Sequence, residues 1–191
     1  MIPTPPGFAK ILNGLIYGMR VAFAQVKAGE SADHPQDVPA VWDALWASWL
    51  ISLMIGVPML GLWGSFAQLM SFVTVSLLIT MLYPVFSYYV LAWLGFRHRY
   101  APFIITMTWI NNFREVLVLV LVLIFSSAQL NGLLMILTPV AFWMLWAFWR
   151  GGTQALRASG WTGLLMLALL ITVHLMAYML MTISQGSSVA T

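Results

Sequence analysis

The sequence predicts an all-α protein, a polytopic five-helix transmembrane bundle with an N-terminal amphipathic interfacial helix. Three observations predict this fold. Hydrophobic residues make up 62% of the 191 residues and charged residues only 7%, whereas about a quarter of a soluble domain is charged. Five long apolar runs follow one another, and nearly all basic residues fall on one side of them. A soluble fold of this size could not hide so much apolar surface, so lipid is the expected solvent.

Residues 1–39 are predicted to form a cytoplasmic segment that contains the amphipathic helix. Within 8–27, apolar residues recur at helical spacing while Lys10, Arg20 and Lys27 lie on the other side. This pattern is typical of a helix in the membrane interface, although a helix packed on the protein's own bundle would show it too. Gly29 is expected to close the helix, and the acidic linker that follows is expected to be a solvated connector.

Residues 40–184 are predicted to be a five-span membrane domain, and 185–191 a short outside tail. Each apolar run is long enough to cross the hydrocarbon core. The second is too long to cross upright, and Pro84 offers a kink point. The predicted spans are about 41–63, 66–95, 102–128, 133–149 and 161–183.

The basic residues predict the orientation. Seven of the eight Lys and Arg residues fall in the N-terminal helix or in the loops after spans two and four, and the eighth is Arg114. By the positive-inside rule the N-terminus is cytoplasmic and the C-terminus outside, as in a bacterial inner-membrane protein. An even number of spans would distribute these basic residues over both sides of the membrane, so their distribution supports five spans. No cleavable signal is expected, so the first span would act as an uncleaved anchor.

Tryptophans gather near the predicted cytoplasmic ends of spans one and four. Indole rings favour the headgroup level, so an aromatic belt is the expected interpretation. A contact surface for a protein partner or a cofactor is the alternative. The two groups are Trp42, Trp46 and Trp49, and Trp143, Trp146 and Trp149.

Arg114 and Glu115 are the only charged residues in the third span. A charge at bilayer depth is costly, and it indicates a functional site by default. Neighbouring side chains on a helix point about 100° apart, so we expect a direct salt bridge to be awkward and each charge to need a partner from a facing helix. Three further polar residues share one face of this span with Glu115, at i, i+3 and i+4 before its own i+7 position, namely Thr108, Asn111 and Asn112.

His174 is the predicted partner. It lies fourteen residues after Gly160, as Glu115 lies fourteen after Ala101, so the two groups share a depth. We therefore predict a midplane polar cluster of Thr108, Asn111, Asn112, Arg114, Glu115 and His174, with Tyr83 at the same level. It could be a structural network, line a cavity for a solute, ion or proton, or belong to a shifted span whose arginine reaches an interface.

Other chemistry finds little support in the sequence. The chain has no cysteine, which excludes disulfides, thiolate metal sites and a cysteine nucleophile. A lone buried histidine cannot form a two-histidine haem site, and no metal-binding or triad motif accompanies it, so we expect no cofactor, no metal and no enzyme. The basic residues form no patch, so nucleic acid is not an expected partner.

Three short segments suggest a family. They are Tyr100-Ala101-Pro102-Phe103, Thr108-Trp109-Ile110-Asn111-Asn112 and the basic aromatic run 148–157. With the five-span layout, residues 40–184 resemble the bacterial branch of the Yip1-like membrane proteins. In that family a tyrosine–asparagine–tryptophan patch opens span three and a basic aromatic segment precedes the last span. The resemblance implies the fold and a non-enzymatic role.

These observations favour a non-catalytic scaffold or accessory subunit that packs against a larger membrane-protein complex. Its expected partners are the lipid bilayer and other integral membrane subunits. The alternative is a small transporter or channel with a midplane polar site around Glu115 and His174.

Overall fold

The computed structural model describes residues 5–26, 37–63, 66–124 and 130–187, without the side chains of 57–63, 67–69, 71–72, 130–134 and 181–187. All regular structure in this part of the chain is helical, which confirms the predicted all-α class. The helices are α1 (Phe8–Ala22), α2 (Val38–Trp63), α3 (Phe66–Trp93), a 3-10 turn (Arg97–Arg99), α4 (Tyr100–Ile124), α5 (Leu130–Leu156) and α6 (Gly160–Ser187).

Helices of membrane-crossing length and composition confirm the coarser membrane prediction. Over the described residues, four stretches qualify: Val38–Gly56, Val73–Trp93, Arg97–Ile124 and Gly160–Leu180. They lie in α2, α3, α4 and α6 and fit a membrane protein whose apolar helix surfaces meet lipid. α5 is not among them, so a fifth crossing stays a prediction.

Helices α2 to α6 pack in a closed ring, in the spatial order α2, α3, α6, α5, α4 and back to α2. α3 and α4 are consecutive in the chain but make few direct contacts, because they lie across the ring from each other. α4 contributes the most continuous buried surface, including Phe103, Ile104, Met107, Trp109 and Ile110. The ring therefore has a centre that all five helices can line.

α1 lies outside the ring and packs mainly on α4. A Cβ atom at Gly14 would overlap the indole of Trp109, and one at Gly18 would overlap the Trp109 carbonyl group, so only glycine permits this approach. The opposite strip of Phe8, Leu12 and Ile16 is 79%, 46% and 44% exposed. Packing on the protein's own bundle is thus established for one face, and the interfacial position of the other stays a prediction.

Two polar side chains of α5 fasten the end of α1. Arg150 Nη2 donates to the Ala24 carbonyl at 3.4 Å, and Gln154 Nε2 donates to the Val26 carbonyl at 3.5 Å. The sequence interpretation placed this part of α5 in a loop after residue 149, and that was wrong because α5 continues to Leu156. Gly151 and Gly152 are buried helical residues, and their small size lets α5 approach α4.

The end of α1 also differs from the prediction. The helix ends at Ala22, not near residue 27, because Ala24 takes the left-handed conformation at φ 62°. The Gln25 N–H donates to the Arg20 carbonyl at 2.8 Å and the Ala24 N–H to Val21 at 3.0 Å, the Schellman pattern. Arg157, at φ 51°, ends α5 in the same way. Glycine usually marks such an end, so neither was visible in the sequence.

Asp37 begins α2 instead of belonging to a solvated connector. Its Oδ1 accepts a hydrogen bond from the Ala40 N–H at 3.0 Å, which caps the helix. The described part of α4 runs to Ile124, so the end of the third predicted span, to 128, lies outside the described residues, and α6 continues to Ser187, into the predicted tail. The rest of the acidic linker, with Lys27, and residues 188–191 lie outside the described residues.

Several of the predicted belt tryptophans also make contacts within the fold. The rings of Trp46 and Trp49 meet edge to face at 4.9 Å, and Trp143 packs 4.7 Å from Phe23 at the end of α1. Trp149 Nε1 donates to the Gly160 carbonyl at 2.9 Å, joining α5 to α6. Trp42 and Trp146 are exposed. Trp143 and Trp149 thus join elements of the fold, and a headgroup or partner role stays a prediction for all six tryptophans.

Candidate functional site

Two cavities lie between the ring helices. The larger, about 440 Å³, is lined by α2, α3, α4 and α6, and the smaller, about 40 Å³, by all five ring helices. They share four lining residues, Ile79, Thr80, Asn111 and His174. The shared residues make the cavities neighbours along the ring's interior.

The charged residues of α4 line the larger cavity. Glu115 Oε1 accepts from Asn111 Nδ2 at 3.0 Å and lies 3.8 Å from Arg114 Nη2. The direct contact that the sequence analysis expected to be awkward therefore forms, but it is long. Their Cβ atoms diverge on the helix, but the long arginine side chain reaches back to the carboxylate.

The partners from facing helices also differ from the prediction. Glu115 Oε2 accepts from Ser52 Oγ of α2 at 3.3 Å, and Ser52 is joined to Ser76 of α3 at 2.8 Å. The guanidinium carbon of Arg114 lies 5.9 Å from the ring centre of Phe148 on α5, a cation–π contact. Two facing helices, α2 and α5, therefore contact the charge pair directly, and α3 supports the contact from α2 through Ser76.

His174 lies in both cavities but does not take the role of direct partner to Glu115. Its Nδ1 lies 2.8 Å from the Leu170 carbonyl, to which it donates. In the neutral imidazole, donation from Nδ1 leaves Nε2 as an acceptor. His174 and Glu115, which were predicted to share a depth, thus line the same cavity. The Glu115 carboxylate accepts its hydrogen bonds from Asn111 and Ser52 instead.

The remaining residues of the predicted cluster separate into two groups. Thr108 and Tyr83 line the smaller cavity, and the Tyr83 hydroxyl donates to the Met166 carbonyl at 3.5 Å. Asn112 lines neither cavity, because it accepts from Ser48 Oγ and donates through Nδ2 to the Ala44 carbonyl at 3.3 Å. It therefore fixes α4 against α2 and is not part of the cavity lining.

The sequence reasoning missed the hydroxyl residues that face α4. Ser48 and Ser52 on α2, and Ser76 and Thr80 on α3, all line a cavity or contact the polar residues of α4. Each pair is spaced i, i+4 within an apolar span, which puts its members on one face. That repeated spacing was the available signal, although serine in a membrane helix is a weak one.

Replacing Asn112 by leucine is expected to destabilise the fold by about 1–2 kcal/mol, because the Ser48 hydroxyl loses its buried acceptor. The midpoint of thermal unfolding in detergent measures the change. The Ser48→Ala/Asn112→Leu double variant should be less destabilised than the sum of the two single variants. Additive effects would show that the two side chains are not coupled.

A helical membrane protein whose packed helices form a cavity lined by both charged and apolar side chains is the class that this geometry defines. Within the described residues, no group of three or more His, Asp or Glu side chains could hold a metal ion. Comparison with protein-family models, curated proteins and solved structures gave no match. The Yip1-like relationship consequently remains a prediction.

Proposed function

We propose that this chain is a non-catalytic membrane protein that binds a small amphipathic solute in the larger ring cavity, as a small transporter does. One observation carries the proposal: Asn111, Arg114, Glu115 and His174 line a cavity of about 440 Å³. Glu115 lies fifteen residues beyond the start of α4, about 22 Å along the helix. Charges at this depth are costly, and they characteristically mark substrate or ion pathways.

The lining indicates the chemical class of the solute. Asn111, Glu115 and His174 offer hydrogen-bonding groups, while Ile55, Val75, Val118 and Leu119 make an apolar wall. The volume lies in the usual range for small-molecule sites, about 300–1000 Å³. A solute with a polar head and a compact apolar body matches both parts.

The smaller cavity favours a gated transporter over an open channel. Its volume of about 40 Å³ leaves room for little more than a water molecule, and its lining includes the large side chains of Tyr83, Met107 and Phe148. A solute that fills the larger cavity could pass only if these side chains moved. Such movement is the step that alternating access requires around a mid-membrane site.

The proposed arrangement in the membrane has five crossings, α2 to α6. α5 is 27 residues long, about 40 Å, and packs in the ring between α4 and α6, which supports its crossing beside them. With the basic loops inside, the N-terminus is cytoplasmic, α1 lies at the inner interface and the C-terminus is outside. The bacterial inner membrane is the proposed location.

Photolabelling with a diazirine analogue of leucine tests the proposal, because this probe combines a zwitterionic head with a compact apolar body. In proteoliposomes we expect labelled peptides from α3 and α4. Glu115→Gln should lower that labelling at least about tenfold, since it weakens a hydrogen bond to a charged group. Asp43→Asn, which removes a carboxylate outside this cavity, is the matched control. Equal labelling of the Glu115→Gln variant would contradict the proposal.

The accessory-subunit interpretation is the second candidate. It is favoured by the outer face of α5, where Phe142 and Trp146 are 69% and 42% exposed at i, i+4 spacing. Purification in a mild detergent separates the two candidates. Recovery in a larger complex at fixed stoichiometry supports a subunit. A homogeneous small oligomer with Glu115-dependent solute uptake supports a transporter.

A further inference from the structure

A third cavity, separate from those in the ring, lies between α1 and the start of α2. Its volume is about 460 Å³, and side chains of both charge signs line it. Its polar lining residues are Lys10, Asn13, Tyr17, Arg20, Asp37 and Asp43. The cavity lies where the structure joins α1 to the membrane domain, so it differs in position and lining from the proposed solute site.

The charges in this cavity are balanced but only partly paired. Lys10 Nζ lies 3.1 Å from Asp43 Oδ2, so these two groups neutralise each other. Arg20 and Asp37 line the same cavity, and neither forms an ion pair with another described residue. Asp37 uses Oδ1 to cap α2. One cation and one anion consequently face the cavity without neutralising each other directly.

The uncharged part of the lining suits a headgroup with an attached chain. The Tyr17 hydroxyl lies 2.9 Å from Thr106 Oγ1. Burial raises the pKa of the Tyr17 phenol, against the smaller opposing effect of the Thr106 hydrogen bond, so the hydroxyl keeps its proton. Ile16 lines the cavity and also belongs to the exposed apolar strip with Phe8 and Leu12. A cavity with charged lining residues thus continues into an apolar surface.

We propose that this cavity binds the phosphoethanolamine headgroup of a membrane phospholipid, with the phosphate on Arg20, the ammonium on Asp37 and an acyl chain along the apolar strip. The guanidinium fork matches phosphate oxygens, and the ammonium offers three N–H donors to a carboxylate. A singly anionic headgroup would leave Asp37 without a cation. A choline headgroup has no N–H to donate. The proposal requires only membrane insertion and is independent of the ring solute.

The test uses the full chain in mild detergent with added phosphatidylethanolamine, phosphatidylglycerol or phosphatidylcholine. Native mass spectrometry measures the lipid retained, and thermal unfolding measures protection. Phosphatidylethanolamine should be retained about tenfold over the other two. Arg20→Gln and Asp37→Asn should each remove that preference. Asparagine is as good an N-cap as aspartate, so Asp37→Asn keeps the start of α2 intact. Arg99→Gln, which removes a basic residue outside the cavity, should retain the preference.

Two outcomes would overturn the proposal. One is equal retention of the three lipids by the unchanged chain. The other is a preference that survives both Arg20→Gln and Asp37→Asn. Soluble glycerophosphoethanolamine distinguishes the sources of the headgroup. Protection only by the lipid supports the assignment to the bilayer, and equal protection by the soluble compound overturns it in favour of a soluble ligand with the same chemistry.

Discussion

Replacing Gly18 by alanine is expected to destabilise the protein by about 2–3 kcal/mol and to loosen α1 from the ring. The new Cβ would overlap the carbonyl oxygen and carbon of Trp109, which belong to the α4 backbone. A backbone in the middle of a packed helix cannot yield as a flexible side chain can. The direction of the change in stability distinguishes packing from helix propensity, because propensity alone predicts that alanine stabilises α1 by about 1 kcal/mol relative to glycine.

Thermal unfolding and limited trypsin digestion measure the two expected effects. Loosening of α1 should speed cleavage after Lys10 and Arg20, whereas cleavage at the exposed Arg97 should be unchanged. Gly7→Ala is the matched control, since a Cβ there would meet nothing within 4 Å. A Gly18→Ala variant at least as stable as the unchanged chain would show that α1 does not pack on α4 through this face.

The features of the fold that neighbouring residues determine were predicted better than those that depend on contacts between residues distant in sequence. The apolar runs locate α2, α3, α4 and α6, because a helix that can cross a membrane must satisfy its own backbone and must be long enough to cross. The ends of α1 and α5 were missed because Ala24 and Arg157 hold left-handed positions that glycine usually marks. The ring order could not be read from the chain, since it depends on contacts between side chains distant in sequence.

The site was predicted in part for similar reasons. Helical spacing predicted that Asn111 and Glu115 share one face, and residue counts from the loops predicted that His174 lies at their depth. All three line one cavity. Direct partners were misjudged because Ser52 carries little signal in an apolar span, although it donates to the carboxylate. The cavity beside Arg20 was not predicted, because its walls come together across a linker whose path the sequence does not specify.

Glu115→Leu is expected to be the most damaging change at the ring's interior, with a loss of about 3 kcal/mol, since it leaves the Arg114 guanidinium without its carboxylate. Their side chains are 30% and 18% exposed, so the cost should lie at the lower end of the range for buried pairs. Arg114→Met should cost less, because Asn111 and Ser52 still donate to the carboxylate.

The Arg114→Met/Glu115→Leu double variant decides whether the pair serves folding or binding. If the two charges are coupled, the double variant should recover about 1–2 kcal/mol relative to the sum of the single changes, as measured by thermal unfolding. Arg99→Met, which removes an arginine outside the ring cavities, controls for overall charge.

A double variant that folds but no longer takes the leucine photolabel would assign the pair to solute binding. Strict additivity would contradict the ion pair itself. An ion pair is costly to bury, and if a stable core can form without it, binding of a ligand is the reason for its presence. Recovered stability together with lost labelling is therefore the result that the proposed function requires.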